Sequence, residues 1–358
     1  MENNKRKYYK SHKHKKNMQI IRIKTKDLNS YIQTKNSWKK TSLPEYTKKV
    51  ILLFKAHNNL KLLIDQKDPK FLKGALINNQ CQGQRINVLP DGTKLDKAYS
   101  LFAKNLTIHD ERSQDHWDVI YQNPNNQFAY LYTQEKRAIF KQKKFQKVKL
   151  FKKVYPKLIS NTKKALSDKQ DHLALPMFTL LNTYMRVGNE IYFKIHKHQG
   201  LTTLRKKNIQ INNDQVTFSY TAKNGIPMRI TKKFPKLYIS RLINQLKNLN
   251  SNSFVFTTPK GHLLRENQFK EAFLKYCGQE FYPHIIRSFY ATKKVEEILK
   301  KNIEKKELKA KLYAIAENLG HKTFSKKEHE WKDSYITTLN HYVEPNLAEK
   351  VKELIKRT

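Results

Sequence analysis

Cysteine is almost missing: Cys81 and Cys277 are the only two in 358 residues. That excludes a disulfide framework and a cysteine-rich zinc site, and it fits a reducing compartment. No apolar run approaches the ~18–20 residues that a membrane span requires. Basic residues open the chain with no hydrophobic stretch behind them, so a secretory signal is not expected either. The expectation is a soluble, intracellular protein. Neither a Gly-rich phosphate loop nor a carboxylate cluster stands out, leaving no sequence signal for bound ATP or a carboxylate-held metal. Acids themselves are scarce, 30 Asp and Glu against 72 Lys and Arg, for a formal charge of +42.

What is present can build a core. Hydrophobic residues make up 38% of the chain, with 18 Phe, 19 Tyr and 3 Trp, so wholesale disorder is not expected. The length suits two modest domains. A large single-sign charge destabilises a compact state by self-repulsion, and a polyanionic partner offsets it. Nucleic acid is the usual one. Codon bias toward Lys could raise the cation count, but it would not deplete acids to this degree.

The texture changes along the chain. Residues 1–16 hold seven Lys or Arg and one acid, which reads as a disordered basic arm. Residues 17–74 alternate apolar and basic positions around Val50–Phe54 and are expected to be a helical extension. From 75 to 135, short alternating runs broken by Pro90-Asp91-Gly92 and Asn123-Pro124-Asn125-Asn126 predict a small β-rich domain. Between 136 and 164 stand twelve Lys or Arg and no acid. Phe145, Val148, Phe151, Val154 and Leu158 recur there at helical spacing, so one face is apolar and the rest a phosphate-facing surface. Beyond Pro176 the pattern is mostly helical, with a hairpin near 209–231, one long helix at 292–317 and another at 346–357. The predicted fold class is α+β, a small β-rich N-terminal domain followed by a mainly α-helical domain, 136–358, that carries a β-hairpin.

Taken singly, the candidate functional residues are unremarkable. Met185-Arg186-Val187-Gly188-Asn189-Glu190 reads as helical, and Gly200-Leu201-Thr202-Thr203-Leu204-Arg205 follows it. Val216, Phe218 and Tyr220 alternate toward Asn224-Gly225, a tight-turn pair that puts Lys223 at a hairpin tip. His284 and Arg287 stand three apart, on one face if helical. Leu319-Gly320-His321 looks like a helix end with a glycine break, and Tyr342 precedes Pro345.

Their order is informative. Arg186, Lys223, His284-x-x-Arg287, Leu319-Gly320-His321 and Tyr342 together resemble the constellation of type IB DNA topoisomerases and tyrosine recombinases. The spacing of Arg186–Asn189 to Gly200–Leu204 looks like the poxvirus-like and bacterial topoisomerases. Leu89–Asp96 and Trp117-Asp118-Val119 resemble their small β domain. The chain departs from that pattern in three places. Phe128–Phe140 is shorter and lacks a Gly- and Arg-rich stretch; His284 stands where many such topoisomerases have Lys; and His321 to Tyr342 is stretched, as if Thr323–Ser334 were inserted.

The resemblance implies a helical catalytic domain that cleaves one strand of duplex DNA through a 3′-phosphotyrosyl ester. That ester conserves the energy of the broken linkage, so no cofactor, ATP or metal is called for. Tyr342 would be the nucleophile, with Tyr335 the competing candidate. Arg186 and Arg287 would stabilise the phosphorane, since guanidiniums stay charged and grip phosphate oxygens in pairs. Lys223 would protonate the leaving 5′ oxygen, and His321, with His284, would hydrogen-bond the non-bridging oxygens. Lys143, Lys144 and Lys147 of the basic segment, with Thr202, Thr203 and Arg205, are expected to bind DNA. A monomer, cytoplasmic and DNA-associated, wrapping double-stranded DNA between its domains is the favoured reading. A recombinase using the same chemistry is the alternative, and a non-catalytic DNA-binding protein a lesser one.

Overall fold

Alternating apolar residues between 20 and 41 form strands, not the helices expected there. In the computed structural model, which describes residues 19–35, 37–109, 116–301, 303–325 and 327–356, β1 (Ile20–Ile23), β2 (Ser30–Gln33) and β3 (Trp38–Thr41) pair antiparallel. Ile20, Ile21, Ile23, Tyr31, Ile32 and Trp38 supply the β-branched and aromatic side chains that suit a pleated surface, and this outweighs the helix-compatible lysines between them. Among the described residues of the segment only α1 (Glu45–Ala56) is α-helical; it buries Val50, Ile51 and Phe54. The basic arm 1–16 lies outside the described residues.

Strands β4 (Ala75–Ile77) and β5 (Gln80–Gln82) complete a five-stranded sheet of order β3-β2-β1-β4-β5. β6 (Ile86–Val88) pairs with β7 (Lys94–Tyr99) across the Pro90-Asp91-Gly92 turn. Asp91 Oδ1 accepts from the Thr93 N–H at 2.8 Å there, and Gly92 takes φ +90°, which only glycine adopts freely. β8 (Lys104–Ile108), β9 (Val119–Gln122) and β10 (Phe128–Leu131) form a third sheet. Ile23, Phe54, Leu63, Leu72, Tyr99, Leu106 and Val119 make one core.

The chain divides into two compact units after Gln142. The sequence-based boundary at 135/136 falls a few residues earlier, at the start of α2 (Gln134–Ala165). That helix buries Phe145, Val148, Phe151 and Leu158, the stripe read from the sequence. α3 (Ala174–Thr183) is buried nearly all round, as a helix apolar on every face must be. After α4 (Glu190–His196), β11 (Ile209–Asn212), β12 (Gln215–Thr221) and β13 (Pro227–Lys233) make an antiparallel sheet. α5 (Lys236–Lys247) and α6 (Glu266–Cys277) pack on its core.

The long helix expected at 292–317 is two, α7 (Ile285–Leu299) and α8 (Lys305–Asn318). Splitting it lets Val295 and Ile298 meet Leu308, Leu312 and Ile315 in one cluster. Thr323–Ser334, expected as a solvated insertion, is largely a hairpin of β14 (Lys322–Ser325) and β15 (Glu330–Asp333), with Phe324 opposite Trp331. α9 (Tyr335–His341) and α10 (Pro345–Lys356) end the described chain. Among the described residues no helix is long and apolar enough to cross a membrane.

Candidate active site

The two sequence motifs around Gly188 and Gly200 clasp each other. Residues 184–189 are not helical, as the sequence suggested, but an irregular link between α3 and α4. Tyr184 ends α3 in the left-handed region at φ 55°, and Asn189 opens α4 by accepting from the Ile191 N–H at 2.9 Å and the Tyr192 N–H at 3.3 Å. The Arg186 carbonyl accepts from Leu201 N–H at 2.8 Å, and the Val187 carbonyl from Thr202 N–H at 2.7 Å. These ladders need bare backbone: a Cβ on Gly200 would stand 2.6 Å from the Arg186 oxygen and the Gly188 nitrogen. The pairing fixes Arg186 in place.

Other elements deliver the remaining side chains by equally local means. Lys223 lies in a three-residue loop closed by Ala222 N–H to Ile226 O at 2.7 Å, with Asn224 and Gly225 at φ 67° and 79°. This is wider than the two-residue turn expected, and it leaves Lys223 exposed at the tip. Gly320, at φ 63°, ends α8: its N–H bonds Glu317 O, and His321 N–H bonds Ala316 O at 2.9 Å. That paired closure places His321 one step beyond the helix. His284 precedes α7 and Arg287 lies in its first turn. Tyr342 caps α9.

The hydroxyl of Tyr342, a residue only 6% exposed, lies 3.3 Å from Arg186 Nη2. Its ring stands 4.5 Å from that of His321 and 5.2 Å from that of His284, and Arg287 lies 5.4 Å from its centre. Arg287 donates at 2.6 Å to both the Tyr184 and Leu319 carbonyls. It also stands 3.1 Å from His321 Nε2. A guanidinium can only donate, so Nε2 accepts, and Nδ1 carries the proton toward Thr338 Oγ1, 2.7 Å away. His321 therefore braces Arg287, where the sequence reading had it donate to phosphate oxygens.

A cavity of about 210 Å³ is bounded by Arg186, Lys223, Arg287, His321 and Lys322, with no carboxylate in its lining. A larger one of about 490 Å³, beside His172, Arg241 and Phe256, contains none of these residues. Such crowding of cations shifts titrations. Burial, then the Arg287 and Arg186 charges, pushes His321 down to about 3, so it is neutral at pH 7. Desolvation of its ring, then the charges of Arg287, Arg186, Lys144 and Lys223, likewise lowers His284, though that side chain keeps substantial solvent contact. Burial and then Arg186 bring Arg287 to about 10, still charged at neutral pH. A bound anion would relieve this repulsion.

Not every expected residue joins the cluster. Tyr335 packs edge-on against Tyr313 at 5.0 Å, partly buried against the apolar cluster that also contains the Tyr342 ring. The hairpin explains the stretched interval: Ser334 N–H bonds His321 O at 3.0 Å, so β14–β15 loops out and the short α9 connects to Tyr342. Thr202 and Thr203 are buried at 1% and 0% exposure, and Thr203 Oγ1 accepts from Gly200 N–H at 2.9 Å. They brace the glycine clasp instead of facing DNA. Arg205 lies against the Phe193 and Phe254 rings, 4.9 and 5.4 Å from their centres, which also argues for packing. Lys143 and Lys147 are exposed, whereas Lys144 turns inward to the His341 carbonyl. Thr338, Thr292 and Lys322 were missed as contributors. Thr338 lies four residues before Tyr342, but its use by His321 depends on the fold that brings the ring to it.

A family model described as eukaryotic DNA topoisomerase I, catalytic core, matches residues 133–352. No curated protein matches the chain. Among solved structures, the XerH site-specific recombinase bound to difH substrate in a pre-cleavage complex is similar at 15% identity and TM-score 0.34, over 56% of this chain and 50% of that one. The same recombinase on palindromic difH in a post-cleavage complex matches at 15% identity and TM-score 0.34, over 55% and 51%. The chain thus spans about half the length of these structures. The family match takes in more than half of the chain and every residue from Arg186 to Tyr342; the chain belongs to the DNA topoisomerase I catalytic-core family.

Proposed function

We propose that this protein relaxes supercoiled duplex DNA by cutting one strand, holding it as a 3′-phosphotyrosyl ester on Tyr342 and rejoining it, without ATP or metal. The observation that carries the reading is the Tyr342 hydroxyl held 3.3 Å from Arg186, a residue that also lines, with Lys223, Arg287 and His321, a cavity free of carboxylates. A phenol with pKa ~10 is a weak nucleophile, and a diester is inert, so most of the rate must come from charge stabilisation. Arg186 and Arg287 supply it to the phosphorane, with neutral His321 orienting Arg287. The Tyr342 oxygen bonds to phosphorus and its proton passes to water. The bond from phosphorus to the 5′ oxygen breaks, and Lys223, at the mobile length of a lysine from the hairpin tip, protonates that oxygen. Reversal of the same steps reseals the strand.

Incubation with supercoiled plasmid in EDTA without ATP tests the proposal: a ladder of relaxed topoisomers is expected. Tyr342→Phe removes only the hydroxyl, so DNA binding should persist while the covalent protein–DNA adduct disappears. An adduct that survives in Tyr342→Phe and vanishes in Tyr335→Phe would transfer the role to Tyr335. Strand exchange between duplexes with no relaxation would instead support a recombinase.

A further inference from the structure

Lys144 belongs to a run of cations that the sequence assigns to DNA, but its ammonium is engaged elsewhere. Nζ donates to the His341 carbonyl at 2.6 Å and lies 5.1 Å from the centre of the Tyr342 ring. Lys143 and Lys147, its neighbours on α2, are exposed.

The contact meets a need. Tyr342 sits just past α9, a helix of only seven residues. Helices that short are marginal, and their last carbonyls have no partner within the helix. Left to itself, the end bearing Tyr342 would fray. Two side chains from other helices hold it. Thr292 Oγ1, on α7, donates to the Tyr342 carbonyl and accepts from the Glu344 N–H, each at 3.2 Å. Lys144, on α2, takes the preceding carbonyl, where the negative end of the helix also favours a cation. Together they grip successive carbonyls on either side of the peptide link into Tyr342.

The geometry points to Lys144 as a positioning residue for Tyr342, acting on its backbone and ring and not as a phosphate contact. This rests on the reading of Tyr342 as nucleophile. It predicts that Lys144 matters to the rate of strand cleavage and of resealing, since both need the same oxygen in line, and little to DNA affinity.

Single-turnover cleavage of a duplex oligonucleotide at saturating protein, alongside binding measured across a salt series, tests it. Lys144→Met should slow cleavage about 10–100-fold, as sub-ångström misplacement does, with resealing slowed equally. The dissociation constant and the salt slope should stay at parental values. Lys144→Arg, which can still reach the carbonyl and the ring, should recover most of the rate. If Lys144→Met fails to fold, Lys144→Gln keeps a donor without the charge and should show a smaller defect of the same kind. A slope reduced by about 0.9 with cleavage unchanged at saturation would make Lys144 a phosphate contact and overturn the proposal. So would unchanged cleavage and binding. Parental protein that forms no adduct through Tyr342 would instead overturn the nucleophile reading.

Discussion

Gly200→Ala is the most direct probe of how the site is built, because it touches no reacting group. The added Cβ would lie 2.6 Å from Arg186 O and Gly188 N and 2.7 Å from Gly188 Cα, all backbone atoms that cannot rotate away. The two strands of chain must separate, breaking Leu201 N–H to Arg186 O and Thr202 N–H to Val187 O. A buried backbone group left unpaired costs about 1–3 kcal/mol. Two such losses, partly relaxed, give about 3–5 kcal/mol, at the severe end for a single substitution. Gly188→Ala meets backbone at 3.1–3.2 Å and also forces a side chain into φ +96°; about 1–2 kcal/mol is expected from that strain. Gly200→Ala also shifts Arg186, whose Nη2 must stay beside the Tyr342 hydroxyl, and about 1 Å of displacement can cost ~100-fold in rate. Urea unfolding and single-turnover cleavage measure both effects. A Gly200→Ala protein within about 1 kcal/mol of the parent, cleaving at near-parental rate, would refute the clasp as the feature that positions Arg186.

Three further outcomes follow from the same geometry. Lys223→Ala should slow cleavage of an ordinary diester strongly but largely spare a substrate with a 5′-bridging sulfur, whose leaving group needs no proton; equal defects on both would leave Lys223 a DNA contact only. With a +42 charge, log affinity for duplex should fall steeply with log salt, by about 0.9 per phosphate neutralised, and a flat response would contradict broad phosphate contact. His321, held near 3 in the fold against ~6.5 unfolded, binds fewer protons folded than unfolded between those values. Its stabilisation is thus complete above pH ~6.5 and is lost at about 1.4 kcal/mol per unit as pH falls toward the folded value; a denaturation series from pH 7 to 5 should show that slope diminished in His321→Gln, and an unchanged slope would contradict the buried neutral imidazole.

The parts of the site legible in sequence are those whose chemistry forces a local signature. Gly188 and Gly200 are readable because only a missing Cβ permits the clasp, and Gly320 because a left-handed residue must close α8 before His321. Lys223 is readable because Asn-Gly tolerates positive φ beside it. What was not legible depends on partners distant in sequence. Residues 20–41 alternate apolar side chains with lysines, a pattern that fits a loose helix as well as a strand until β4 supplies the hydrogen-bonding edge. Nothing in twelve cations on α2 marks Lys144 as one that turns inward to a backbone carbonyl. Thr202 and Thr203 looked available because hydroxyls are polar, yet the clasp buries them. The hairpin between His321 and Tyr342 read as solvated because its lysines and glutamates pair with one another on the surface, Lys332 with Glu328 at 2.5 Å, while Trp331 packs on the core.

The two arginines that the resemblance pairs are not equivalent in the fold, and the difference bears on catalysis. Arg287, 3% exposed, is committed to the Tyr184 and Leu319 carbonyls and to His321. It ties the end of α3 to the end of α8. Arg186 is carried by the backbone clasp and contacts the tyrosine hydroxyl at 3.3 Å. Carbonyls orient a buried guanidinium without neutralising it, so burial and then the repulsion of Arg186 lower Arg287 to about 10 in the folded protein. A bound diester, with one negative charge, would offset part of that repulsion. The phosphorane carries more, so on the proposed chemistry the same pair gains more at the transition state than on binding. On that chemistry the increment, and not tighter binding of the diester, would speed the attack by Tyr342.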